Sequence, residues 1–229
     1  MKVARASALL VLVSAACAQP PKPSSVSDEQ KLRDLGIVMA VGIQETTQLK
    51  TGQWALYSVR SAGSTDRHAT RIAVVASDDG KYWIENKTIT PDPSGKSHVV
   101  IMKYQIDASA KPIQLWVSQG SARPAQIAME SPKPTSPETH PKVDIGQETI
   151  TLQATGKAYE CTRLTSKASY GNGRETTLVT WCSPKVPFPA VHEGKSYGGV
   201  VRRTYGQYTL ELDATGTDAV AELQLPEKQ

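Results

Sequence analysis

The sequence predicts a mainly β chain: one large, curved antiparallel sheet or open half-barrel, with one or a few helices packed on it. Three observations predict this. Nine short runs rich in Val, Ile, Thr, Trp and Tyr follow one another after Gly52, each bounded by turn residues. Two of the turns, at Asp78-Asp79-Gly80 and Gly206-Gln207, join neighbouring runs as hairpins. Helical periodicity appears once, near the N-terminus.

The N-terminus comes first. MKVARASALLVLVSAACAQ places Lys2 and Arg5 ahead of a short apolar run from Ala8 to Ala16. That run is too short to span a bilayer and reads as a secretory signal over residues 1–16. Two cleavage sites are open. Ala16-Cys17-Ala18 fits a small-x-small site cut after Ala18. Ser14-Ala15-Ala16-Cys17 resembles a bacterial lipobox, which would make Cys17 the lipidated first residue. Residues 17–27, rich in Pro and Ser, read as a flexible tether.

A single domain is then expected over residues 28–225. Ser27-Asp28-Glu29-Gln30 reads as a capping box, and Leu32, Leu35, Met39 and Ile43 follow at helical spacing. This predicts a helix over residues 28–45. The strand candidates are WALYSVR, RIAVVAS, KYWIENKTI, PIQLWVS, ETITLQAT, AYECTRLT, TTLVTWCS, GVVRRTY and YTLELDA. HVVIMKYQI fits either a strand or a helix. Asp78-Asp79-Gly80 predicts a hairpin turn. Gly206-Gln207 predicts another, with Val201 opposite Leu212 and Arg203 opposite Leu210. The stretch 131–142 holds four prolines and no apolar residue, and is expected to be a surface loop within the one domain.

Two of the three cysteines, Cys161 and Cys182, flank the turn Tyr170-Gly171-Asn172-Gly173. With Gly171-Asn172 as the loop, these cysteines face each other at a non-hydrogen-bonded pair, close enough for a disulfide. With Asn172-Gly173 as the loop, Cys182 faces Arg163 instead. The first register is preferred, and a Cys161–Cys182 disulfide is expected, in keeping with export.

Composition narrows the function. Removing Lys2 and Arg5 lowers the formal charge from +4 to +2. That is no basic footprint, so no nucleic acid partner is expected. His68, His98, His140 and His192 lack metal-ligand spacing, and no nucleophile elbow, P-loop or dinucleotide fingerprint occurs. Asp78-Asp79 is explained by its turn. The chain is therefore expected not to be an enzyme, with no catalytic residue, metal or cofactor.

The order GQWALYSVR, DDGKYWIE, HVVIMKYQID, PIQLWVSQG, TGKAYECTRL, TTLVTWCSPKVPF and GGVVRRTYGQYTLEL resembles the LolA/LolB-like superfamily of exported bacterial proteins, with its lipoprotein-sorting and LppX-like relatives. Trp181, Ser183, Val186, Pro187, Gly199, Val200 and Val201 carry the pattern, which covers roughly residues 52–215. The resemblance implies a half-barrel lidded by helices around an apolar cavity for acyl chains. With it, Trp54, Trp83 and Trp116 are expected to line a groove for a lipid or a lipoprotein acyl chain. The alternative is an outer-membrane lipoprotein that partners a larger envelope complex. Either would sit on a membrane surface through Cys17, at the periplasmic side of the outer membrane, or be soluble in the periplasm after the other cleavage. Ala18 in place of the Asp that marks inner-membrane retention favours the outer membrane by family analogy.

Overall fold

The computed structural model describes residues 41–63, 67–91, 96–128, 142–169 and 175–226. Twelve strands form one antiparallel sheet: β1 (Trp54–Ser61), β2 (Arg67–Asp78), β3 (Lys81–Pro91), β4 (Ser97–Ile106), β5 (Pro112–Gln119), β6 (Ala125–Ile127), β7 (Val143–Thr151), β8 (Ala158–Ser169), β9 (Glu175–Ser183), β10 (Pro189–His192), β11 (Lys195–Tyr205) and β12 (Tyr208–Gly216). The order is β6-β5-β4-β3-β2-β1-β12-β11-β9-β8-β7, with β10 paired to β11 off this path. Two meanders are thus zipped together where β1 meets β12. The sheet is open, with β6 and β7 at its edges.

The expected helix over residues 28–45 is not seen in the part of it that is described. Among the described residues there is no helix, and Val41–Glu45, the end of that periodic stretch, is irregular. Val41 and Gly42 are poor helix formers there. Val41 is buried in the core cluster and Ile43 packs on it. Residues 28–40 lie outside the described residues, as do Cys17, the tether and the stretch 131–141.

Both hairpin turns form where expected. Asp78 pairs with Lys81 across Asp79 and Gly80, whose φ values are 45° and 70°, the left-handed pair that a tight hairpin needs. Arg203 pairs with Leu210 and Tyr205 with Tyr208. The ambiguous HVVIMKYQI is strand β4. Val186–Pro187 and the double glycine are coupled sterically. A Cβ at Gly199 would collide with the Pro187 carbonyl, and Gly199 N–H donates to Val186 O at 3.0 Å.

Side chains alternate between the two faces, so paired residues share a face. Along β1 to β4 and β12, one face carries Tyr57, Ile72, Val74, Ile84, Ile106, Leu210 and Leu212, all essentially solvent-free. These side chains meet in one hydrophobic cluster, joined from the other half by Ile150, Tyr159, Phe188 and Val201.

The expected disulfide is not formed: Cys161 and Cys182 are buried free thiols. Cys182 pairs with Thr162, and Cys161 pairs with Glu148 of β7. The register falls one residue away from the expected one, and one residue is enough to turn the two thiols to opposite faces. The turn at 170–174 lies outside the described residues.

Candidate functional site

The second face carries the tryptophans. Ladder partners form a single row across it: Gly216, Trp54, Ala73, Glu85, Lys103, Trp116 and Gln126, on β12, β1, β2, β3, β4, β5 and β6. Trp83, paired with Gln105, lies two residues from Glu85 on the same face. The register therefore brings Trp54, Trp83 and Trp116 to one side of the sheet. Trp181, opposite Arg202, belongs to that side too. It was not among the expected ligand residues, although its phase within TTLVTWCS matches theirs.

The centre of the row is ionic. Glu85 is 2% exposed and Lys103 8%. Their side chains are 3.4 Å apart and directly opposite across β3 and β4. Lys103 also stands over the Trp83 ring, 5.8 Å from its centre. A buried pair of this kind must have its remaining hydrogen bonds met. They are met by the C-terminal segment that follows β12. Glu85 accepts the backbone N–H of Glu222 at 2.8 Å and of Leu223 at 3.0 Å. Lys103 Nζ donates to the Leu223 carbonyl at 2.8 Å. Glu222 itself reaches Lys87 at 2.6 Å and Arg71 at 3.1 Å.

The segment enters this face beside Trp54, whose indole N–H donates to Asp218 at 2.7 Å and holds that carboxyl below the usual range. A Cβ at Gly216 would run into the Trp54 ring, so glycine is required where the ring crosses β12. Ala219 N–H bonds to Gly52 O, which fixes the exit of the strap. Trp116 Nε1 points to Gln114, 3.5 Å away.

A second ionic pair occupies the same face in the other half. Arg202 and Glu211 are opposite each other on β11 and β12, 2.7 Å apart. Glu211 accepts Gln153 N–H at 2.7 Å, and Arg202 donates to Thr151 O at 2.9 Å. Beside this pair lies an open concavity of about 340 Å³, lined by Ser58, Arg60, Gln153, Trp181, Arg202 and Glu211. A second, of about 360 Å³, is lined by Ile145, Gln147, Val186, Lys195 and Tyr197 among others. Neither contains Trp54, Trp83 or Trp116.

Burial sets the chemistry of the remaining polar groups. Burial pushes the Cys161 thiol up to about 11, aided by Glu148, and the Cys182 thiol up to about 12. Both stay protonated and unreactive at neutral pH. Arg203, paired with Thr180 and Leu210, has its guanidinium drawn below the usual range by burial. Its Nε donates to Thr180 Oγ1 at 3.2 Å. Arg202 and Arg203 thus point to opposite faces, and Arg202 lines the concavity beside Glu211.

No family model, curated protein or solved structure matches the chain, so its resemblance to the LolA/LolB-like proteins rests on the quoted motifs alone.

Proposed function

We propose that the chain is a binding partner within a larger envelope assembly, exported and held at a membrane surface through Cys17. The observation that carries this reading is the filled face of the sheet. Tyr57, Ile72, Ile84, Ile106, Leu210 and Leu212 are among its largest fully buried side chains, and they pack into one cluster. An acyl carrier needs an apolar hollow of several hundred Å³ there. The two concavities are open and of mixed lining instead, with Arg60, Arg202 and Glu211 in one and Gln147, Lys195 and Tyr197 in the other. The open sheet supplies a surface for assembly. Edge strand β7 runs nine residues without proline or lysine and presents Ile145 at 52% exposure.

A second reading, carriage of an acyl chain, draws on the four tryptophans that share one face. One experiment separates the two. The full-length chain, solubilised gently from its own membranes, should run as a large particle on a native gel. Ile145→Lys should return it to the size of the free chain without changing its thermal unfolding. A chain that runs alone, yields stoichiometric lipid on extraction and quenches its tryptophans with a fluorescent fatty acid would hand the function to the carrier reading.

A further inference from the structure

The strap from Asp218 to Leu223 is bound the way a peptide ligand is bound. It is irregular, adds no strand to the sheet and touches it at separated points. At its centre the Glu85–Lys103 pair grips both the N–H and the C=O of one residue, Leu223, while the leucine side chain is 6% exposed. Next to it Glu222 is held by two cations, Arg71 and Lys87. Backbone groups are thus read by a carboxylate and an ammonium, and two side-chain positions are read by charge and by burial.

A strap needed only to cover apolar surface would be served more cheaply by apolar residues beneath it, because burying an ion pair costs desolvation. Without the strap, Glu85, Lys103, Arg71 and Lys87 would lie on an open sheet face, where charges are readily solvated. The seat is therefore built to be tolerable both empty and filled.

We infer that the Glu85–Lys103 row is a peptide-recognition site whose resident ligand is the chain's own C-terminal segment, and that its exchange partner is an extended segment of another protein carrying an acidic residue directly before a leucine. The charge complement to Arg71 and Lys87 dictates the acidic residue. The buried position of Leu223 dictates the leucine. This goes beyond the assembly reading, which is carried by the filled face and docks through the edge at β7, and either can fail without the other.

A tethered strap competes with any free peptide at a high effective concentration. The test loosens the strap and leaves the seat intact. The full chain carrying Glu222→Lys with Leu223→Gly, in detergent solution, is titrated against a fluorescein-labelled nonapeptide of sequence TDAVAELQL, that of residues 217–225. It should bind this peptide about tenfold or more tighter than the unaltered chain does. A peptide with Lys-Gly in place of Glu-Leu should not bind, and adding Lys103→Met to the loosened chain should abolish binding. Three outcomes would overturn the proposal: a folded, loosened chain that ignores the peptide up to about 1 mM; equal binding of the Lys-Gly peptide; or a loosened chain that no longer folds, which would make the strap part of the framework. A concentration-dependent dimer of the unaltered chain with exchanged straps would give the seat to a second copy and remove the partner assignment.

Discussion

Two places on the same face of the sheet use one device. Around Glu85 and Lys103, and around Glu211 and Arg202, a buried glutamate sits opposite a cation on the neighbouring strand. In each, the glutamate accepts backbone N–H from a crossing segment and the cation donates to a carbonyl of that segment. Each also seats a leucine: Leu223 at 6% exposure, and Leu152, which lies between Thr151 and Gln153, at 2%. The difference is in what is held. Leu152 belongs to the connection between β7 and β8, so its clamp is closed by covalent chain on both sides. Leu223 follows β12, and among the described residues no further strand comes after it. The same chemistry joins two strands in one half and, on the inference drawn above, holds an exchangeable strap in the other.

The largest effect is expected where release is forbidden. Arg202→Met should strand Glu211 in a site that cannot open without disturbing β7 and β8. Chemical denaturation should report a global loss of about 3–5 kcal/mol. A loss below about 1 kcal/mol would show that the Arg202 clamp opens as easily as a surface pair.

Next comes alkali, which reaches the closed clamp through Cys161, whose pKa is also influenced by Arg202. The native thiols hold their protons until about 11 and about 12, whereas unfolded thiols lose theirs near their ordinary value of about 8.5. Above that value the unfolded chain binds fewer protons than the native one, so stability falls as pH rises. By pH 10 the loss should be at most about 2 kcal/mol per thiol. Replacing both thiols with alanine should flatten this slope, which urea unfolding at stepped pH would measure.

A smaller change is expected at the releasable clamp. Lys103→Met also leaves a glutamate unpaired, but the strap can lift and let water reach Glu85. The loss should stay near 1–2 kcal/mol. It should also be local: the Glu222 and Leu223 amides should exchange rapidly while core amides keep their protection. A global loss as large as that of Arg202→Met would erase the distinction between the two clamps.

Much of the sheet was legible because strands announce themselves locally. Asp79-Gly80 and Gly206-Gln207 set two hairpins by backbone preference alone, and Arg203 met Leu210 as counted from the turn. Counting failed at Cys161, where the flanking strands settle one residue away from the two-residue loop, with Thr162 opposite Cys182. Turn chemistry at Gly171-Asn172-Gly173 accepts more than one loop length, and the register follows from packing on both faces. The helical expectation failed at residues 41–45, which run irregularly with Val41 in the core, while residues 28–40 lie outside the described residues. The clamps were hidden altogether. Glu85 and Leu223 are 138 positions apart, and no local pattern links them. The available signal was the phase of KYWIENKTI, in which Trp83 and Glu85 share a face. A large aromatic on the supposedly polar face indicates that something covers it.

The gentlest way to sharpen the contrast acts at the entrance of the strap. Trp54→Phe keeps a flat ring over Gly216 but removes the N–H that reaches Asp218. That hydrogen bond is the main reason the Asp218 carboxyl lies below its usual range. A depressed folded pKa stabilises the bound strap above the ordinary carboxylate value, and this contribution disappears as pH falls through the folded one. In the unaltered chain, acid below about pH 4 should therefore loosen residues near Asp218 before it affects Leu223. In Trp54→Phe the Asp218 titration, followed by carboxyl NMR, should move up toward the ordinary value. Amide exchange of Ala219 should quicken, with the melting temperature unchanged. The Arg202 clamp has no such latch, because its segment is fixed by β7 and β8 on both sides, so its amides should not respond. An Asp218 titration identical in the two chains would mean that the indole does not hold the strap. The entrance would then be set by the Ala219–Gly52 backbone bond alone, and release would have to begin at Leu223.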